Sequence, residues 1–375
     1  MSRKKVTNSQ AKQYAYLKRR IAKAQGKAKF VGVLYLLGTL AISALCCLSL
    51  ITVNGATLGA TAFWKPFANL KFSVSEIKAN IFPLLIAVFY ALMLLIMLSC
   101  VLKSLRSLKW LFKKKASKLY GFNRNAYAMD DLGRYFSRAF ASALIFHFLI
   151  VVVAGGIKGV SMLAYALVGI GLVLHLFCGL VGGKVSLFST DGELYEEKRE
   201  VGRFSVLVRN LIQMALTATA IYFFVGNNAI KGTIETAKTN GFTALTKDTP
   251  SLIIFALQVL VVIWLIAMIG YATGNKEFDP DGKETAGRKT YLWLCFFLFV
   301  TSCAWYAYGQ MIAKMTIDNE VVILAGVAFV GFIMEILLRN FPKTKNKCVE
   351  TDEVETGVFL KENYDKVGIY FPEEN

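Results

Sequence analysis

The sequence predicts an all-α integral membrane protein, a polytopic helix bundle of about eight transmembrane helices grouped as two four-helix halves. Three observations carry the prediction. Of 375 residues, 55% are hydrophobic and 18% charged, where a soluble chain has roughly half and about a quarter. The apolar residues fall into long runs separated by charged punctuation. Those runs hold almost no ionisable side chain, as a hydrocarbon solvent demands.

A span needs about 20 mostly apolar residues to cross roughly 30 Å of hydrocarbon. Eight runs qualify: 30–53, 81–102, 139–157, 160–182, 206–226, 252–273, 291–313 and 321–338. The first follows a basic stretch but is too long for a signal-peptide core, so it is expected to remain as a span. Asn80 caps the second run, with Pro83 in its first turn; Asp248 or Thr249 caps the sixth, with Pro250 following. A short turn at Gly155, Gly156, Lys158 and Gly159 separates the third and fourth, which alternatively form a re-entrant hairpin.

Orientation follows from the cations. With the amino terminus inside, cytosolic segments hold 35 of the 43 Lys and Arg residues, so both termini are expected in the cytosol. Trp293 falls near the inner interface and Trp305, Tyr306 and Tyr308 near the outer one. The plan is a basic tail (1–29), a first half (30–182) with a basic loop (103–138), a linker (183–205), a second half (206–338) and a C-terminal tail (339–375), acidic beyond Cys348. The outer loops are long in the first position of each half and short in the second. That pattern suggests parallel repeats about an axis along the membrane normal, although the halves share no residue-level similarity. No N-x-S/T sequon occurs, which fits a bacterial plasma membrane.

The net charge of +18 is explained by cytosolic loops facing anionic headgroups, and no nucleic-acid partner is expected. The seven cysteines match neither a disulfide framework nor zinc spacing and read as small buried hydrophobes. Between Leu102 and Leu119 apolar residues recur at helical spacing, with Lys103, Arg106, Lys109, Lys113, Lys114 and Lys118 on the other face. The pattern predicts a basic amphipathic helix on an anionic lipid surface. Gly179/Gly183 and Gly270/Gly274 have the spacing of close helix contacts, and homo-oligomers or membrane-complex partners are compatible with them.

Few intramembrane groups can carry chemistry. Glu335 lies about one turn from the inner end of the last run and is expected to pair with Arg339, four residues on. A transport carboxylate is the sharper alternative. His147 and His175 lie in adjacent runs, offset in depth. They act as helix-packing groups or, in the sharper alternative, ligate haem or adjoin a quinone. Otherwise no cofactor or metal is expected. Asn210, Gln213 and Thr217 share one face of the fifth run, with Arg209 at its inner mouth. Together with Gln258 in the sixth they form either helix contacts or a polar path. Glu277, Asp279, Asp281 and Gly282 start like a calcium loop, but Arg288 stands where the closing Glu belongs. Nucleotide-binding loops, nucleophile elbows and zinc-helix motifs are missing from the sequence. The expected function is non-enzymatic: a permease, channel or membrane-complex assembly subunit. A transporter with a midplane site, or a histidine-based redox or lipid-modifying enzyme, is the alternative.

Overall fold

The computed structural model describes residues 29–48, 81–112, 121–154, 169–174, 203–273 and 287–339. The fold is an all-α polytopic membrane bundle. Among the described residues seven helices are long and apolar enough to cross a membrane. In chain order the helices are α1 (Lys29–Leu48), α2 (Ile81–Leu111), α3 (Gly121–Ala154), α4 (169–174), α5 (Arg203–Gly226), α6 (Asn228–Asn240), α7 (Thr249–Thr273), α8 (Gly287–Ala307) and α9 (Asn319–Arg339). Most of the fourth apolar run lies outside the described residues.

The starts of α2 and α7 obey the local rules. Pro83 is the third residue of α2 and Pro250 the second of α7, where a missing N–H removes no helical bond. Leu252 N–H already donates to Asp248 O at 3.1 Å. α8 widens into a π turn, Tyr308–Ile312, and ends with Lys314 at φ 52°. That left-handed residue lets the Ala313 and Met315 N–H groups turn back to Tyr308 O and Gly309 O, at 3.0 and 2.9 Å.

Two apolar cores organise the bundle. One joins α1, α2 and α3 through Ile42, Met93, Phe136 and Phe140. The other joins α5, α7, α8 and α9 through Phe224, Leu265, Leu298 and Leu324. Phe148 of α3 belongs to the second core, stacked at a tilt on Phe224 with centroids 6.1 Å apart. Helix α3 therefore holds the two cores together. Trp305, near the end of α8, is fully buried against Phe224. Trp293 is exposed.

The outward faces are apolar. Val88, Leu92, Leu95, Leu98, Leu102 and Leu105 form an exposed row down α2, an arrangement that hydrocarbon favours and water does not. Hydroxyls in the spans turn back on their own helices: Thr39, Thr219, Thr273 and Thr301 donate to the carbonyl four residues earlier at 2.6–2.9 Å. This satisfies them where lipid supplies no partner.

Two connections differ from expectation. The predicted surface helix over 102–119 is, as far as Leu111, the continuation of α2. Cys100, Ser104, Ser107 and Leu111 are buried at spacings of four, three and four residues, so one face stays on the bundle. From Leu84 to Leu111 no Gly or Pro interrupts the helix. A turn into the membrane plane would need such a break. The 227–251 connection is not a simple loop but α6 followed by a 3-10 turn, Phe242–Thr246. The Asn227 carboxamide caps α6 by accepting from Ala229 N–H at 2.8 Å. Asp318 accepts from Asn228 N–H at 3.1 Å and ties the α5–α6 junction to the start of α9. Phe242 stacks on Phe82 of α2 at 5.6 Å, and the Lys238 ammonium lies 5.6 Å from the same ring.

Candidate functional site: an intramembrane ion-pair cluster

Helix α5 carries Arg209, Gln213 and Thr217 at intervals of four, hence along one face. The face is aimed at α8 and α9. α5 and α8 start at this end of the bundle while α7 and α9 finish there. Arg209, Tyr271, Tyr291 and Glu335 therefore gather at a common level, within two turns of the helix ends.

Glu335 is 2% exposed and Arg209 11%, and their side chains form an ion pair between α9 and α5. Gln213 Nε2 donates to Glu335 Oε2 at 3.0 Å. Deeper in the bundle, Gln213 O lies 2.8 Å from the Tyr291 hydroxyl and 2.7 Å from the Thr217 hydroxyl, and these hydroxyls are 2.9 Å apart. Two protons thus serve three contacts. Tyr291 also packs on Tyr271 at 5.6 Å, so all four helices of the second core meet here. Gly331, one turn from Glu335, permits the approach: a Cβ there would stand 3.0 Å from Cys295 Sγ on α8.

The Glu335 carboxylate, expected beside Arg339, is turned onto Arg209 of another helix; the Arg339 side chain lies outside the described side chains. Two charges in a low-dielectric interior must be adjacent and further hydrogen-bonded to persist, and Gln213 supplies that further bond. The expected four-residue stripe divides. Gln213 and Thr217 belong to the cluster, and Asn210 is half-buried one residue past Arg209. Gln258 is buried at the opposite end of the bundle, where its Nε2 donates to Thr233 of α6 at 3.1 Å.

His147 is buried in α3, with Nδ1 2.7 Å from Ala143 O and its ring edge-on to Tyr90 at 6.4 Å. His175 lies outside the described residues. Lys103, Arg106 and Lys109 are exposed on α2, whereas Lys113, Lys114 and Lys118 fall outside them. Gly270 faces open space: a Cβ there would meet nothing within 4 Å, so its GxxxG spacing does not mark a contact with a described residue. Gly274, Gly179 and Gly183 are outside the described residues.

Tyr291 was read from the sequence only as the start of a span, and Arg209 only as a cation at a mouth. The available signal was a matched depth: one Arg and one carboxylate, each just inside the same border of the second half. No protein-family model, curated protein or solved structure matches the chain.

Proposed function

We propose that this chain is a non-enzymatic membrane component, an assembly subunit whose second half is a clamped helix scaffold. The carrying observation is that the polar groups on the α5 face are used on neighbouring helices: Arg209 and Gln213 on Glu335, Thr217 on Tyr291. A substrate path requires polar groups left for water or solute, whereas helix contacts consume them. α5 is held to α9 at one end by the ion pair and near the other by Asn228 and Asp318, which suits a rigid frame. The Lys and Arg distribution supports an orientation with both termini in the cytosol of a bacterial plasma membrane. The ion-pair cluster then lies at the cytosolic end.

Thiol accessibility tests the scaffold reading. Single cysteines at Asn210, Gln213 and Thr217 are introduced into a background with the native cysteines replaced, and native membranes are treated with a membrane-impermeant thiol reagent from either side. The scaffold predicts that positions 213 and 217 resist modification from both sides. Rapid labelling of both would mark an aqueous path and reject the scaffold in favour of a permease.

A further inference from the structure

Helices α2 and α9 finish at the same end of the bundle. Phe82, near the start of α2, stacks on Phe242 just after α6. Asp318, just before α9, holds Asn228 at the start of α6. Both helices therefore begin at the α6 end and run away from it. Over its last turns α2 has two distinct faces. Ser104, Ser107 and Leu111 are buried against the bundle. Leu105, Arg106, Lys109 and Phe112, at i, i+1, i+4 and i+7, share the opposite face. All four are exposed, Leu105 to 46% and Phe112 to 52%. Among the described residues no carboxylate pairs with Arg106 or Lys109.

Lipid does not account for the whole of this face. Leu102 closes the apolar run. Lys109 and Phe112 stand about 10 and 15 Å beyond it by helical rise, past a headgroup layer of about 5–8 Å on each side. An exposed Phe beside cations at that height faces water. Such an apolar and basic strip is complementary to an acidic segment that carries apolar residues of its own.

This chain supplies one. The tail leaves α9 after Arg339, at the same end of the bundle, and its residues 340–375 lie outside the described residues. Between Cys348 and Asn375 eight acidic residues stand against two basic ones. Four of the acids, Glu350, Asp352, Glu353 and Glu355, are grouped, and Val358, Phe359 and Leu360 follow them. α9 packs on α5, α5 on α3 and α3 on α2, so three helix spacings of 8–10 Å separate the two ends, about 24–30 Å. The chain from Arg339 to Glu350 extends to about 36–40 Å, so the acidic group reaches the strip.

We propose that residues 350–360 dock on the outward face of the α2 end of the same chain, with carboxylates on Arg106 and Lys109 and the apolar triplet on Leu105 and Phe112. Each exposed ion pair is weak. A tethered segment nevertheless meets its site at an effective concentration in the millimolar range, so a contact too weak to join separate chains is populated within one. The contact is independent of the scaffold role and of the side of the membrane on which it lies: it requires only that α2 and α9 end together.

The test places the photo-crosslinking residue p-benzoylphenylalanine at position 359 of the full chain in native membranes. Irradiation is expected to join position 359 to a peptide spanning 105–112 in a product with the mass of one chain, mapped by mass spectrometry. R106E/K109E should lower the yield about fivefold or more. Adding E353K/E355K, which reverses the opposing charges, should restore most of it. Adducts to lipid or to other segments, a product with the mass of two chains, a yield that R106E/K109E leaves unchanged, or no restoration by E353K/E355K would overturn the proposal. Should R106E/K109E fail to fold, salt decides with α2 and the acidic group unaltered: screening at 1 M must lower the yield, and a yield indifferent to salt rejects the docking.

Discussion

At the residue scale, the ion pair between Arg209 and Glu335 dominates the energetics because each charge depends on the other. Removing one partner of a buried pair strands the second, a loss of about 3–5 kcal/mol. Glu335→Leu or Arg209→Met is therefore expected to reduce resistance to denaturation by an amount of that order, measured by unfolding in mixed micelles. The neutral contacts around it are weaker. Tyr291→Phe or Thr217→Val should cost only about 0.6–1.7 kcal/mol, the range for hydrogen bonds between membrane helices. A cost for either as large as that of Glu335→Leu would mean that the hydroxyls, not the charges, hold the helices. Lys314 offers a change of opposite sign. Its left-handed backbone, φ 52°, is unfavourable for any side chain, and Lys314→Gly should stabilise by about 1 kcal/mol. Both charges of the pair were visible in the sequence as intramembrane or mouth-lining groups. Their partnership was not, because spacing along one helix says nothing about how a second helix is rotated to meet it.

At the element scale, helix identity was legible and helix termination less so. The apolar runs of α1, α2, α3, α5, α7, α8 and α9 follow from composition, since hydrocarbon requires about 20 apolar residues in a row. Where α2 ends does not follow. The basic periodicity beyond Leu102 fits a helix lying on lipid as well as one rising from it, and the choice is made by Ser104, Ser107 and Leu111 buried in the bundle. Serines in a Lys-rich segment do not announce a core. The extension predicts that amides through residue 111 exchange as slowly as those of the α2 interior; rapid exchange beyond Leu102 would restore the surface helix. Glycine motifs were similarly ambiguous. Gly270 has the spacing of a contact and makes none with the described residues, whereas Gly331, in no motif, admits Cys295. A Leu at position 331 must push α8 away from α9. Gly331→Leu should destabilise by several kcal/mol, of the order of large overpacking losses, while Gly270→Leu should cost little in the same unfolding assay.

At the scale of the whole molecule, two cores share one helix. Phe148 of α3 lies in the core of α5, α7, α8 and α9, and Phe82 of α2 stacks on Phe242 beyond α6. The halves defined by loop lengths are thus joined both within the bundle and at its α6 end. Loop lengths are readable because they follow from the chain; the joints are not, because they depend on tertiary packing of aromatic rings that sequence shows only as apolar. The polar groups follow the same division. Gln258 and Thr233 close one end, Arg209, Gln213 and Glu335 the other, and the apolar faces between them are left to lipid. Rigidity of the second half therefore rests on the charge pair that joins α5 to α9. The most direct test is a double-mutant cycle on Arg209→Met and Glu335→Leu, read from unfolding free energies in a bilayer mimic. The clamp predicts a coupling of about 2 kcal/mol or more, with the double variant less damaged than the sum of the singles. Costs that add within about 0.5 kcal/mol would contradict it, because independent residues cannot be the bolt between two helices.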